Sequence, residues 1–378
     1  MTKITTHQET DLWQFNLDVA FRRTKKVIWQ PRIDCWYDDR MFTGEGLPGR
    51  YHGMDKVELY KTLGVSYRGY MFNACMKEIM DPRIRIERKE ISPLEYEEIM
   101  YTPKGNLKQI IRKNTSNPGS YPVKWWITEE EDMKIHQWVL ENTTWAWDSE
   151  KYEELKKQWG FAGAPSAFVS RVNMQYLFHN VMGVEPGIYA VYDYPETVEK
   201  YFEALKEYQD RQLDMMIASP MELINFGDNI HCGVLPPNLF EEYVLPVYQH
   251  RNDKLHAAGK FTNAHWDGDV KALLKYAKET GLDGIEAITP LPQGDVTLQE
   301  VKKALGDDIV LMDGIAAILF DPKLYPIEAL EKQTRECLDL FGGQLILGIS
   351  DELASTGDVD RVIRVREIVD EYNSHIIE

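Results

Sequence analysis

An α/β chain closed into a (β/α)8 barrel is the fold class the sequence predicts, and three observations predict it. From about residue 128 onward, short β-rich runs alternate with stretches of helical length, the pattern of parallel strands joined by right-handed crossovers. The number of such units suits a closed barrel better than an open sheet. No GxGxxG follows directly on a first strand and no P-loop occurs, so the usual marks of a nucleotide-binding doubly wound sheet are missing.

The elements follow in order. Residues 10–26 read as an N-terminal helix ending in the basic run Arg22-Arg23-Thr24-Lys25-Lys26, and 27–34 as a strand that runs into Cys35-Trp36-Tyr37-Asp38-Asp39-Arg40. Alternation in Ile84-Arg85-Ile86-Glu87-Arg88 and turn chemistry in Tyr101-Thr102-Pro103-Lys104-Gly105 predict an inserted antiparallel β-ribbon at about 83–114. Helices are expected at 129–141, opened by the dipole-favoured Glu129-Glu130-Glu131, and near 150–159. A strand at 167–170, helices at 173–182 and 195–218, and a strand at 221–226 follow. The helix 237–258 then leads to the strand 259–265. The remaining units are helix 269–280, strand 283–288, helix 297–304, strand 308–313, helix 326–340, strand 344–349 and helix 358–373. The whole chain, 1–378, is expected to form one barrel domain.

Composition bounds the function. A hydrophobic share of 43% and a charged share of 28% are ordinary for a globular protein, and a net charge of -18 argues against a nucleic-acid partner. The opening Met1-Thr2-Lys3-Ile4-Thr5-Thr6-His7-Gln8-Glu9 has no apolar core of a signal peptide, and no run is long enough to span a membrane. Cys35, Cys75, Cys232 and Cys337 are scattered without a CxxC pair. A cytoplasmic protein is expected.

A barrel presents its chemistry at the C-terminal ends of its strands. Those ends carry Arg32 and Asp34, Ser170 and Arg171, Asp228 and Asn229, His265 and Asp267, Glu286, Asp313, and Ser350, Asp351 and Glu352. Loop starts are polar in any case, so about half of these are background. His265 and Asp267 are two apart in an extended segment and face the same way. Glu286 ends the next strand, so these three converge as a metal or acid/base site. Asp228 is a further catalytic candidate, balanced against a role as a cap or turn residue.

Trp36, Tyr37 and Trp266 adjoin strand ends and are the aromatic candidates for walls of a flat substrate's pocket. Arg32 and Asn229 are expected to line it. Phe178, His179 and Met182 are read as packing residues or as the surface of a homodimer.

Several motifs carry a family resemblance. Pro246-Val247-Tyr248, Ala257-Ala258-Gly259-Lys260, Ala264-His265-Trp266-Asp267-Gly268 and Leu347-Gly348-Ile349-Ser350-Asp351 resemble the uroporphyrinogen decarboxylase superfamily, most clearly from residue 220 onward. Within it, Trp29-Gln30-Pro31-Arg32, Asn225-Phe226-Gly227-Asp228-Asn229 and Glu286-Ala287-Ile288-Thr289-Pro290 resemble the cobalamin-dependent methyltransferases that demethylate methoxylated aromatic compounds. The resemblance implies a TIM barrel and transfer of a methyl group from an O-methyl ether to the Co(I) of a separate corrinoid protein.

One departure from that family is informative. Thiol-methylating relatives hold zinc with a His-x-Cys motif and a later Cys, whereas this chain has Asp267 at the first position and Ile349-Ser350-Asp351 in the closing strand. Carboxylates in place of thiolates leave a zinc ion a stronger Lewis acid, suited to an ether or phenolate oxygen. The expected ligands are His265, Asp267 and Glu286, with a fourth from Asp351, Glu352 or Glu222 and one position open to substrate. Two rival readings are a decarboxylase of a tetrapyrrole or other carboxylated ring, and a noncatalytic binding barrel that has lost its chemistry.

Overall fold

The computed structural model describes residues 11–377; the polar opening stretch and the first residue of the expected N-terminal helix lie outside the described residues. Seven parallel strands form one curled sheet: β1 (Ile28–Trp29), β2 (Ser166–Phe168), β3 (Leu223–Asn225), β4 (Phe261–His265), β5 (Gly284–Glu286), β6 (Val310–Ala316) and β7 (Leu345–Ser350). Their spatial order is β1-β7-β6-β5-β4-β3-β2. Every residue of β6 and β7 is buried, which is why these strands read as near-continuous apolar runs.

The expected count of eight is corrected to seven among the described residues. Helix Lys56–Leu63 ends at Gly64 in the left-handed conformation, and a 3-10 turn begins at Tyr70. The five residues between them form no ladder with either edge strand. That short stretch still bridges the two edges of the sheet: Ser66 N–H donates to Trp29 O of β1 at 3.1 Å, and Tyr67 N–H to Ala162 O, just before β2, at 2.8 Å.

One end of the sheet is closed. Leu17, Val19 and Ala20 of the helix Leu12–Ala20 form a single apolar cluster with Ile28, Leu223, Phe261, Val310, Met312 and Ile346. These residues lie toward the strands' N-terminal ends, so a ligand reaches the interior from the C-terminal rim. No helix among the described residues is long and apolar enough to cross a membrane.

The inserted ribbon is a four-stranded antiparallel sheet of Arg85–Ser92, Glu95–Thr102, Gly105–Lys113 and Ser120–Lys124. It extends ten residues beyond the expected boundary because a fourth strand folds back on the third. Met100 and Leu107 pack on Ile135 and Val139 of the helix Glu130–Glu141. A separate antiparallel pair, Met76–Met80 with Thr143–Trp147, flanks the insertion and faces the rim.

His136 of that helix is buried, 3.0 Å from the Tyr201 hydroxyl, and burial pushes its pKa down to about 4. The unfolded chain takes up a proton near pH 6.5 that the native protein refuses. Stability should therefore fall as pH drops from about 6.5 to 4, by about 3 kcal/mol from this group. Denaturation by urea across that range, compared with His136→Gln, reads the contribution as a flatter pH profile in the variant.

Candidate functional site

The loops after β3 and β4 are stitched together by backbone. Ile230 N–H donates to His265 O and Asp267 N–H to Ile230 O, both at 3.1 Å, while Trp266 N–H reaches Glu286 O at 2.8 Å. His265, at the end of β4, and Asp267 thus present their side chains at the rim. Asp351, just past the end of β7, meets them there. Ligand atoms of His265, Asp267 and Asp351 all lie within 4.8 Å of one another, and all three residues are half-buried.

Glu286 takes a different place from the one its position at the end of β5 suggested. It is wholly buried and stands behind the imidazole, which donates Nδ1–H to its Oε1 at 2.9 Å. The Tyr70 hydroxyl lies 2.9 and 2.8 Å from its two oxygens, Asn225 Nδ2 donates at 2.8 Å and Asn263 Nδ2 at 3.3 Å. Arg68 Nη1 is 3.1 Å away. With its lone pairs so engaged, Glu286 orients His265 and leaves Nε2 facing Asp351 at 3.8 Å. Burial alone would raise the Glu286 pKa, but Arg68, the His265 hydrogen bond and Arg32 outweigh it and hold the group ionised well below the usual range.

Below this layer lies a second buried pair. Arg68 grips Asp313 through both Nη atoms, at 3.2 and 2.9 Å, and donates Nε–H to Gln30 Oε1 at 3.0 Å. Gln30 is held in turn by Ser66 Oγ at 3.0 Å. Asp313 has a φ of 81°, and Gly348 opposite it leaves the room its carboxylate needs, since a Cβ there would collide with Asp313 Oδ1 and Gln30 O. Burial, countered by Arg68, pushes the Asp313 carboxyl up to about 6.

Arg32 holds the front of the cluster. Its Nη1 bonds Asp351 Oδ1 and lies 3.4 Å from Glu286, and its Nη2 donates to Glu352 Oε1 at 2.8 Å. Glu352 also accepts the Cys35 N–H at 2.9 Å. Its bonds to Arg32 and Cys35 turn Glu352 away from the metal-ligand role considered for it. Glu222 precedes β3 at the opposite end of the strand and is remote from the rim. Burial and the neighbouring Glu352 push the Cys35 thiol up, so the nearest cysteine stays protonated.

The cluster opens on a cavity of about 570 Å³. Arg32, Asn229, His265 and Asp351 line it, and its apolar walls are Met76, Trp145, Phe168 and Val169. Phe168 stacks on Tyr70 at 4.1 Å between ring centroids.

The aromatic candidates lie elsewhere. Trp36 is wholly buried in the helix Asp34–Thr43, where its Nε1 donates to Gly357 O at 3.0 Å. Trp266 is wholly buried too, edge-on to Phe240, because alternation along the segment turns it inward while His265 and Asp267 face out. Tyr37 lies under Lys56, whose Nζ is 5.3 Å from the ring. Asp228 borders the cavity, but its carboxylate accepts from Val172 N–H at 2.9 Å and the Tyr248 hydroxyl at 2.8 Å, the bonds of a loop brace. Phe178 and Met182 are core residues.

Arg68, Tyr70, Asn225, Asn263 and Trp145 escaped the reading of strand ends. Asn263 lies mid-strand and Asn225 closes β3, and both turn inward to buried Glu286. Arg68 and Tyr70 belong to the stretch that makes no strand; the apolar Val65 and Tyr67 around Ser66 were the available signal.

Comparison with known proteins places the chain. No curated protein matches it in sequence. Among solved structures it is similar to a methyltransferase from Methanosarcina mazei, with 12% identity over 94% of this chain and 98% of that one and a TM-score of 0.57, a likeness of fold. A B12-independent methionine synthase from Shewanella sp. W3-18-1 shares 11% identity over 93% of this chain and 98% of its own, at a TM-score of 0.41. The family model described as uroporphyrinogen decarboxylase (URO-D) matches residues 153–372, more than half of the sequence and all of β2 to β7. The chain belongs to the uroporphyrinogen decarboxylase family.

Proposed function

We propose that this protein is a methyltransferase that demethylates a methoxylated aromatic compound and passes the methyl group to the Co(I) of a separate corrinoid protein, using zinc held by His265, Asp267 and Asp351. The observation that carries the reading is the convergence of these three ligand atoms at the mouth of an aromatic-walled cavity. We also read the chain as a single barrel domain with the four-stranded sheet as an insertion and residues 65–68 standing where an eighth strand would.

The donor set fits a divalent metal. A histidine whose Nδ1–H is bound by a buried carboxylate offers a basic, oriented Nε2, the arrangement common behind metal-ligating imidazoles. Two carboxylates complete a set with room for substrate. When bound, zinc supplies Lewis-acid polarisation of the ether oxygen, so that the phenolate can leave.

The chain's own residues do the rest. Glu286 fixes the His265 tautomer, and Tyr70, Asn225 and Asn263 fix Glu286. Arg32 steadies Asp351 and offsets the negative charge that three carboxylates bring to the rim. Met76, Trp145 and Phe168 form a wall that excludes water from the face of an aromatic ring. A decarboxylase of a multiply carboxylated ring would need several uncommitted cations, and of the two arginines on this cavity Arg32 is already committed.

Metal analysis of the purified protein should find about one zinc per chain. Incubation with reduced corrinoid protein and a panel of methoxylated aromatics should convert Co(I) to methyl-Co(III), followed by absorbance. A metal-bearing protein that leaves Co(I) unmethylated with every donor would refute the reading.

A further inference from the structure

The cavity holds one cation without an anion. Arg171, three residues past the end of β2, lines it, and among the described residues no carboxylate lies in ion-pair range of its guanidinium. Its Nε is buried and has no hydrogen-bond partner. Asp228, the carboxylate whose charge does reach Arg171, is engaged by Val172 N–H and Tyr248. A guanidinium that lines an open cavity and keeps a nitrogen without an acceptor leaves a vacancy for a planar anion.

The position sets what kind of molecule would fill it. β2 and β4 are separated by β3, so Arg171 and His265 stand two strand spacings apart, roughly 10 Å along the rim. The apolar wall of Met76, Trp145 and Phe168 borders the same cavity. A ring with its ether oxygen at His265 and an acid group at the far side spans such a gap.

We propose that Arg171 binds a carboxylate of the substrate, making the methyl donor a methoxylated aromatic acid. This rests on reading the cavity as the place of ether demethylation. Asn180 and Asn229, which also line it, supply neutral polar contacts at its edge.

Titration calorimetry of the full chain with 4-methoxybenzoate and its neutral counterpart 4-methoxybenzamide tests the assignment. The acid should bind about ten- to a hundredfold more tightly, the range for hydrogen bonds to a charged partner. Arg171→Gln should abolish the preference and Arg171→Lys should retain part of it, because lysine keeps the charge and loses the fork. Equal affinities in the unaltered protein, failure of both compounds to bind, or a preference that survives Arg171→Gln would each overturn it. The unaltered protein decides the first two outcomes without any variant having to fold. Methyl transfer, read separately, keeps the two ideas apart. Acid preference with no transfer to corrinoid from any donor would sink the methyltransferase reading and leave the anion anchor standing. Transfer from neutral methoxyarenes alongside equal binding of acid and amide would do the reverse.

Discussion

His265→Ala is expected to lose both bound zinc and methyl transfer. The imidazole is the one nitrogen donor in the cluster and the only ligand with a buried carboxylate behind it. If the metal contributes about 4 kcal/mol of charge stabilisation in the transition state, its loss lowers the rate about a thousandfold. Glu286 would lose one donor but keep Tyr70, Asn225 and Arg68, so stability should change by only about 1 kcal/mol. Metal content and transfer rate therefore fall together while the melting temperature barely moves. Full activity in a metal-free variant would overturn the assignment of the centre.

Arg68→Ala should have the opposite signature, a large loss of stability. It leaves two wholly buried carboxylates, Asp313 and Glu286, without their shared cation. Breaking a buried pair by removing one partner costs about 3–5 kcal/mol. For a chain of this length that lowers the melting temperature by about 5 °C. The pH dependence gives a second check. Asp313 already titrates near 6 when folded, above its ordinary value, so its protonated form favours the native state and stability falls as pH rises through that region. Without Arg68 the effect grows, and the variant's deficit should be smaller at pH 5 than at pH 7. A melting temperature unchanged at pH 7 would show that the pair is not a structural element.

Much of this was legible in the sequence. Each run read as a strand from residue 167 onward is a strand, because a parallel sheet buried on both faces leaves uninterrupted apolar runs, as in Val310–Ala316 and Leu345–Ser350. Strand ends then located His265, Asp267 and Asp351. Less legible was rank within the site. Glu286 looks equivalent to Asp267 in sequence, and only the bonds from Tyr70, Asn225, Asn263 and Arg68 show that its oxygens are occupied. Trp36 and Trp266 misled because proximity to a strand end does not fix which way a side chain turns. Arg68 and Tyr70 sit in a segment with no periodicity, whose conformation is set by contacts with Trp29 and Ala162 far along the chain.

The arginines at the centre of the site come from the beginning of the chain and their carboxylates from near its end. Arg68 bonds Asp313 across 245 residues, and Arg32 bonds Asp351 across 319. During synthesis at about 5–20 residues per second, Arg68 waits roughly 10–50 seconds for its partner to be made. Such distant pairings slow folding, since the loop they close must be gathered before they yield any stability. The front of the rim is therefore completed late, and a chain that stops short of β7 holds Glu286 and Asp313 for Arg68 but lacks Asp351 and Glu352, the two carboxylates that pair with Arg32 there.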